Sequence, residues 1–472
     1  MRPICRLSAL TGLATLLAAG CASTASTPEP GAAGLGVAAA PTTVAAPRAA
    51  PAGTPRTPVA HAPTSPSLDD PIVRLQRRLA SGDVQLVYDS IRGWLPSLLA
   101  ALDVPIESQG LIFSRTSLQT DRIAPWTPRA VYFNDDVYIG WVQESPILEI
   151  GAVDPDEGGA FYTLSQNPEG PPTFTRETTT CLMCHESRNV TFGVPGFMLL
   201  SVLADRHGYV ITNVHDGPTT ERTPIDARWG GWYVTGSAGN TTHAGNAMAP
   251  DLHHEVGDRA RYLAQQDLTS EAHVTSLEGR FDTTPYLSEH SDIVALLVLA
   301  HQARIHNLIA LAAQESATAL REQEYLLRTT GEAPPTDGLT PATRMRIDGA
   351  VDRLVRAMFF VGEVPLGGPV VGTSGFAEMF ATRGPHDSQG RSLRDLDLGN
   401  RVFRYPLSFL IHSDAFLALP DAVRRRAYDR VRAVLTGEDR SGDYQHLSAD
   451  DRAAILEILT ETQPDFVALT VE

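Results

Sequence analysis

Apolar residues recur at three- to four-residue spacing in IVRLQRRLASG and VQLVYDSIRGWLPSLLAAL, which predicts helix through Asp70 to Val104. From Gly110 to about Thr235 the period shortens. RAVYFNDDVYIGWV, GAFYTLSQ, GFMLLSVLADRHGYVITNV and GGWYVTGS read as short strands broken by Pro, Gly and Asp, with hairpin turns expected at Asn134-Asp135-Asp136 and Arg206-His207-Gly208. Past Asp258 the spacing becomes helical again. SDIVALLVLAHQARIHNLIALAAQ is apolar nearly all round, the mark of a helix buried at the centre of a fold. Thr340-Pro341 supplies an N-cap and a first-turn proline for a helix through MRIDGAVDRLVRAMFFVG. LPDAVRRRAYDRVRAVLTG and SADDRAAILEIL complete the helical half, the second with Ser448 and Asp451 at capping-box spacing. The predicted class is α+β and helix-rich: a helical N-terminal section, a β-rich region over 110–235, and a helical half over 258–472.

The first 67 residues follow another pattern. Arg2 and Arg6 flank an apolar run, Leu7 to Leu17, too short to span a bilayer, so residues 1–20 read as a secretory signal peptide. Leu17-Ala18-Ala19-Gly20-Cys21 resembles the lipobox of bacterial lipoproteins, with Ala18 where leucine is commoner. That resemblance implies cleavage behind Gly20, acylation of Cys21 and attachment to a lipid bilayer on the periplasmic side. Ala22 and Ser23 follow instead of an acidic residue, which by the family's sorting habit implies the outer membrane. Residues 21–67 are mostly Ala, Pro, Thr and Gly, too poor in large side chains to offset the entropy of ordering, and read as a disordered tether. Residues 68–472 are long enough for a large core.

Charge and composition remove several functions. A formal net charge of -17 argues against a nucleic-acid partner, which needs a basic face. The chain has no lysine, so Schiff-base, pyridoxal-phosphate and P-loop chemistry are excluded.

TTTCLMCHESRNVTFG holds the only cysteines beyond the leader, Cys181 and Cys184, with His185 directly after them. A disulfide between them would close too small a loop to restrain a large domain. A dithiol redox site needs a preceding strand and a nucleophilic thiolate, and Thr178 to Thr180 do not read as a strand. A zinc site would need two further ligands, with His253 and His254 as distant candidates. On a helical turn the two thiols share a face, suiting thioether bonds to a haem, with the next imidazole turned onto the iron. Cys181-Leu182-Met183-Cys184-His185 is similar to the haem-attachment motif of c-type cytochromes, without a departure. The resemblance covers these five residues and the exported context only. It implies one covalent haem c, with Cys181 and Cys184 as thioether residues and His185 as proximal ligand.

The sixth iron position has weaker candidates. Met248 lies in the loop-like GSAGNTTHAGNAMAPD, at a separation from His185 similar to that used by small cytochromes c, and His243 shares the stretch. His290, His301 and His306 lie on or near the apolar helix and read as core histidines. Arg228, with Trp229, Trp232 and Tyr233, reads either as a haem wall with a propionate-binding arginine or as a packed strand. Asp395 to Asn400, DLDLGN, reads as a turn.

Two functions from different classes are expected. One is a lipid-anchored periplasmic electron carrier that exchanges electrons with a redox partner protein. The other is a haem-dependent oxidoreductase, a peroxidase or oxygenase with an open iron position, favoured by a domain much larger than a shuttle requires. A zinc or dithiol site at the CxxC is a third possibility.

Overall fold

A computed structural model describes residues 69–249, 263–265, 267, 270–333, 335–336 and 338–470. The leader, Cys21, the tether, and His253 and His254 lie outside these. The described chain is α+β and helix-rich, as the hydrophobic pattern implies.

Helix α1 (Pro71–Ser81) starts where Asp70 Oδ1 accepts from the Ile72 and Val73 amides at 2.8 and 3.1 Å, and stops at Gly82 with φ 79°. The other Asp70 oxygen accepts from the Tyr162 hydroxyl at 2.6 Å, tying the helix start to the sheet. The helical expectation fails for residues 83–94. There Asp89 Oδ1 accepts from the Ile91 and Arg92 amides, Gly93 takes φ 63°, and α2 (Leu95–Ala101) begins only with Pro96 in its first turn.

Among the described residues ten strands follow: β1 (Gly110–Ile112), β2 (Arg129–Phe133), β3 (Val137–Trp141), β4 (Ile147–Asp154), β5 (Gly158–Ser165), β6 (Phe174–Arg176), β7 (Val202–Asp205), β8 (Val210–Asn213), β9 (Trp232–Tyr233) and β10 (Met248–Ala249). Seven form an antiparallel sheet in the order β6-β5-β4-β3-β2-β1-β9, and three form a second sheet in the order β10-β7-β8, with β10 parallel to β7. Both expected hairpin turns are present, joining β2 to β3 and β7 to β8. Because side chains alternate along a strand, the register sorts the large sheet into two faces. Pairing of Glu149 with Thr163 and of Gly151 with Phe161 puts these four on one face, while Leu148, Ile150, Tyr162 and Leu164 fill a core on the other with α1 and α2.

The first face is covered by α4 (Ile293–Thr330), which follows the short α3 (Leu182–His185). This helix starts where the apolar stretch SDIVALL places it, but the helical half as a whole begins later than expected, since residues 270–292 run without helix. Its N-cap Asp292 accepts from Val294 and Ala295 with Oδ1 and from Thr373 and Ser374 with Oδ2, so one buried carboxylate starts the helix and anchors a distant loop. By length and apolarity α4 passes the test for a membrane span, yet the residues responsible are buried inside the protein. Helices α5 (Pro341–Met358), α6 (Phe376–Thr382), α7 (Asp414–Leu417) and α8 (Asp421–Thr436) pack against it, and α9 (Ala449–Thr462) and α10 (Pro464–Thr470) pack on α8. Thr340 caps α5, and Ser448 with Asp451 forms the expected capping box on α9.

Candidate haem-attachment site

Strand β6 ends at Arg176 and α3 begins at Leu182; Thr178 to Thr180 between them are bends and a turn, not a strand, as expected. The segment is helical: the His185 amide donates to the Cys181 carbonyl at 3.0 Å. It lies against the α4 side of the large sheet, with Cys181 and Leu182 packed on that core and the His185 ring 4.5 Å from the Phe161 ring. Both thiols are free, Cys181 half-buried and Cys184 exposed.

His185 is held in a defined tautomer. Its Nδ1 stands 2.8 Å from the Gly196 carbonyl oxygen. A carbonyl only accepts, so Nδ1 carries the proton and Nε2 presents its lone pair. The Gly196 amide donates back to the His185 carbonyl at 2.8 Å, closing a reciprocal pair. Burial lowers the His185 pKa, which keeps the imidazole neutral and able to ligate a metal. A histidine whose second nitrogen is tied to a carbonyl is the usual arrangement around a bound metal. The donor set therefore fits a covalent haem: two free thiols one helical turn apart, followed by an imidazole with Nε2 available.

The alternatives fit less well. Burial, then Glu177 and Glu149, push the Cys181 thiol up to about 11, opposite to the depressed pKa a nucleophilic dithiol needs. Among the described residues no group of three or more His, Cys, Asp or Glu side chains is arranged to hold a metal ion, so the zinc reading gains no support there.

Beneath the segment lies a pair that the sequence did not reveal. Arg129 Nη2 meets Glu149 Oε2 at 2.7 Å, and both charges bear on Cys181 and His185. Arg129 Nε is buried and unpartnered. The pair forms because strand register brings β2 and β4 onto one face with Gly140 between them, and a Cβ there would meet the Arg129 guanidinium at 2.6 Å.

Arg228 is engaged elsewhere. It is 1% exposed and donates to the Thr223 and Glu221 carbonyls, each at 2.8 Å, while Trp229, Trp232 and Tyr233 are packed in the cores. The packed-strand alternative thus describes this group. The two distal candidates separate. Met248, on β10, packs against the core on the far face of the sheet from Cys181, whereas His243 is buried with its ring 5.5 Å from Trp229, a member of the Cys181 core. Burial pushes the His243 pKa down to about 4, and its Nδ1 has no hydrogen-bond partner. No described contact joins either residue to His185.

Of the three histidines expected in the core, His301 and His306 are buried there. His306 Nδ1 is 2.8 Å from the Tyr138 hydroxyl. His301 Nε2 is 2.9 Å from Ser408 Oγ, and its Nδ1 is 3.8 Å from Glu221 Oε2, which has the outline of a Ser-His-Glu triad. Ser408 is fully buried and His301 stacks on Phe360 at 4.2 Å, so no substrate reaches the hydroxyl and the cluster is structural. His290 is half-buried at the approach to α4. Asp395 to Asn400 forms the expected turn, with Asp397 Oδ1 accepting from the Gly399 and Asn400 amides. A cleft of about 330 Å³ between the β4–β5 turn and α4 contains none of the segment's residues. Comparison with protein-family models, curated proteins and solved structures gives no match, so the reading rests on these side chains alone.

Proposed function

We propose that the chain is an exported, lipid-anchored c-type haem protein on the periplasmic side, at the outer membrane, that transfers electrons to or from a partner protein. One haem c is held through Cys181 and Cys184, with His185 as proximal ligand. The observation that carries this reading is the Nδ1 contact to Gly196, which leaves Nε2 as the ligating atom. When bound, the haem supplies one-electron chemistry at iron. The polypeptide fixes the imidazole, excludes water from one side of it with Phe161 and keeps the thiols near the surface. Exposure supports electron exchange with a docked partner: Met183 is 78% exposed and Cys184 is exposed, so a group attached here has an edge near solvent.

A haem-dependent oxidoreductase is the second reading, favoured by the Arg129–Glu149 pair, which sets a carboxylate and a hydrogen-bond donor beside the segment. Carbon monoxide added to the reduced protein separates the two. Electron transfer with both axial positions filled predicts slow or negligible conversion of the haem spectrum. Rapid, complete conversion would transfer the argument to the enzyme.

A further inference from the structure

We infer that Asn307, on the buried helix α4, is a positioning residue for the imidazole of His185 and helps to set the reduction potential of the haem; this rests on the reading above. Asparagine is a poor choice for the interior of a helix whose neighbours are Ile305, His306, Leu308 and Ile309. Its amide is engaged at both ends. Oδ1 accepts from the Phe197 amide at 2.8 Å and Nδ2 donates to the Phe197 carbonyl at 2.8 Å, as a neighbouring strand would. Phe197 lies in residues 196–200, which belong to no strand, so these bonds satisfy backbone groups that would otherwise be buried without partners.

The residue before Phe197 is the one that holds His185. Gly196 exchanges two 2.8 Å contacts with it, one to the ring and one to the backbone. Thr191 Oγ1 donates to the same His185 carbonyl at 3.2 Å and shuts the far side of the turn. Contact here is too close for a side chain on residue 196, since a Cβ would collide with Asn307 Oδ1. Asn307 also places the Phe197 ring, 5.8 Å from Phe161, and Phe161 walls the imidazole at 4.5 Å. One buried amide, 3% exposed, thereby fixes both the carbonyl that selects the tautomer and the ring behind the ligand. A firm hydrogen bond from Nδ1 makes Nε2 a stronger donor and favours the oxidised metal.

Two variants test this, Asn307→Leu and Gly196→Ala, each read in two ways. In the haem-free chain (Cys181→Ser with Cys184→Ser), nitrogen NMR of His185 is expected to report the Nδ1–H tautomer, and each variant is expected to convert it to a mixture. In the haem-loaded protein each variant is expected to raise the reduced-to-oxidised ratio at a fixed potential about tenfold, a shift of 59 mV for one electron. If Asn307→Leu does not fold, Gly196→Ala, which retains the amide but displaces it, decides alone. Folded variants with the native tautomer and an unchanged potential would overturn the inference. A wild-type chain without haem would instead overturn the function above, and the NMR comparison would still decide the role of Asn307.

Discussion

A chain carrying Cys181→Ser together with Cys184→Ser is expected to leave an exporting host folded and colourless, where the native chain leaves it coloured. The thiols have no disulfide to lose, and Cys184 is exposed, so replacing sulfur by oxygen costs about 1 kcal/mol or less. The effect on the chromophore is complete because a thioether cannot form without its thiol. Visible absorbance after denaturing electrophoresis, beside a circular dichroism melt, checks both halves. Covalent absorbance retained by the double variant would contradict the assignment of these residues, and a collapsed melt would show that they also serve the fold.

The largest stability effect is expected away from the CxxCH segment. Arg304→Leu should lower unfolding free energy at pH 7 by about 3–5 kcal/mol, the usual result of leaving one member of a buried ion pair alone. Glu221 is 2% exposed and accepts from Arg304 Nη1. Burial by itself raises the Glu221 pKa, but His301 and Arg304 outweigh it and hold the carboxyl at about 2, against 4.5 for a free glutamate. The sign follows from linkage. A folded-state pKa below the unfolded one gives stability that is present above pH 4.5 and is lost as pH falls toward 2. In the variant the carboxyl loses its main cation and takes up a proton more readily, so the deficit against the native chain shrinks over that window. Urea unfolding of both chains at pH 7 and pH 3 measures this. A loss below about 1 kcal/mol at pH 7, or an equal loss at both pH values, would mean that Arg304 does not stabilise the buried Glu221 charge.

Features of this molecule were legible in the sequence where the cause is local. The capping box at Ser448 and Asp451, the Thr340-Pro341 helix start and the turn at Asn134 to Asp136 each depend on a few consecutive residues, and each is present. Residues 83–94 misled because their apolar spacing suits a helix, while the Asp89 turn and the left-handed Gly93 override it. The CxxCH segment stands out in the sequence for the same local reason, because its five residues are consecutive. Its surroundings do not. Arg129 and Glu149 meet through strand register, and Gly196 and Asn307 meet because α4 crosses the chain after the segment; neither contact leaves a mark in the spacing. The faint signals were an asparagine inside an apolar helix and a glycine after a proline. Arg228 stayed open between two readings because an arginine beside tryptophans resembles a propionate clamp, and only its contacts, two backbone carbonyls, separate the two.

The intact mass of the protein, expressed with its leader in a host that matures c-type cytochromes, tests the central claim most directly. The account predicts one haem added per chain through two thioether bonds, present in the native protein and missing when Cys181 and Cys184 are both serine. A native chain whose mass carries no haem would contradict it.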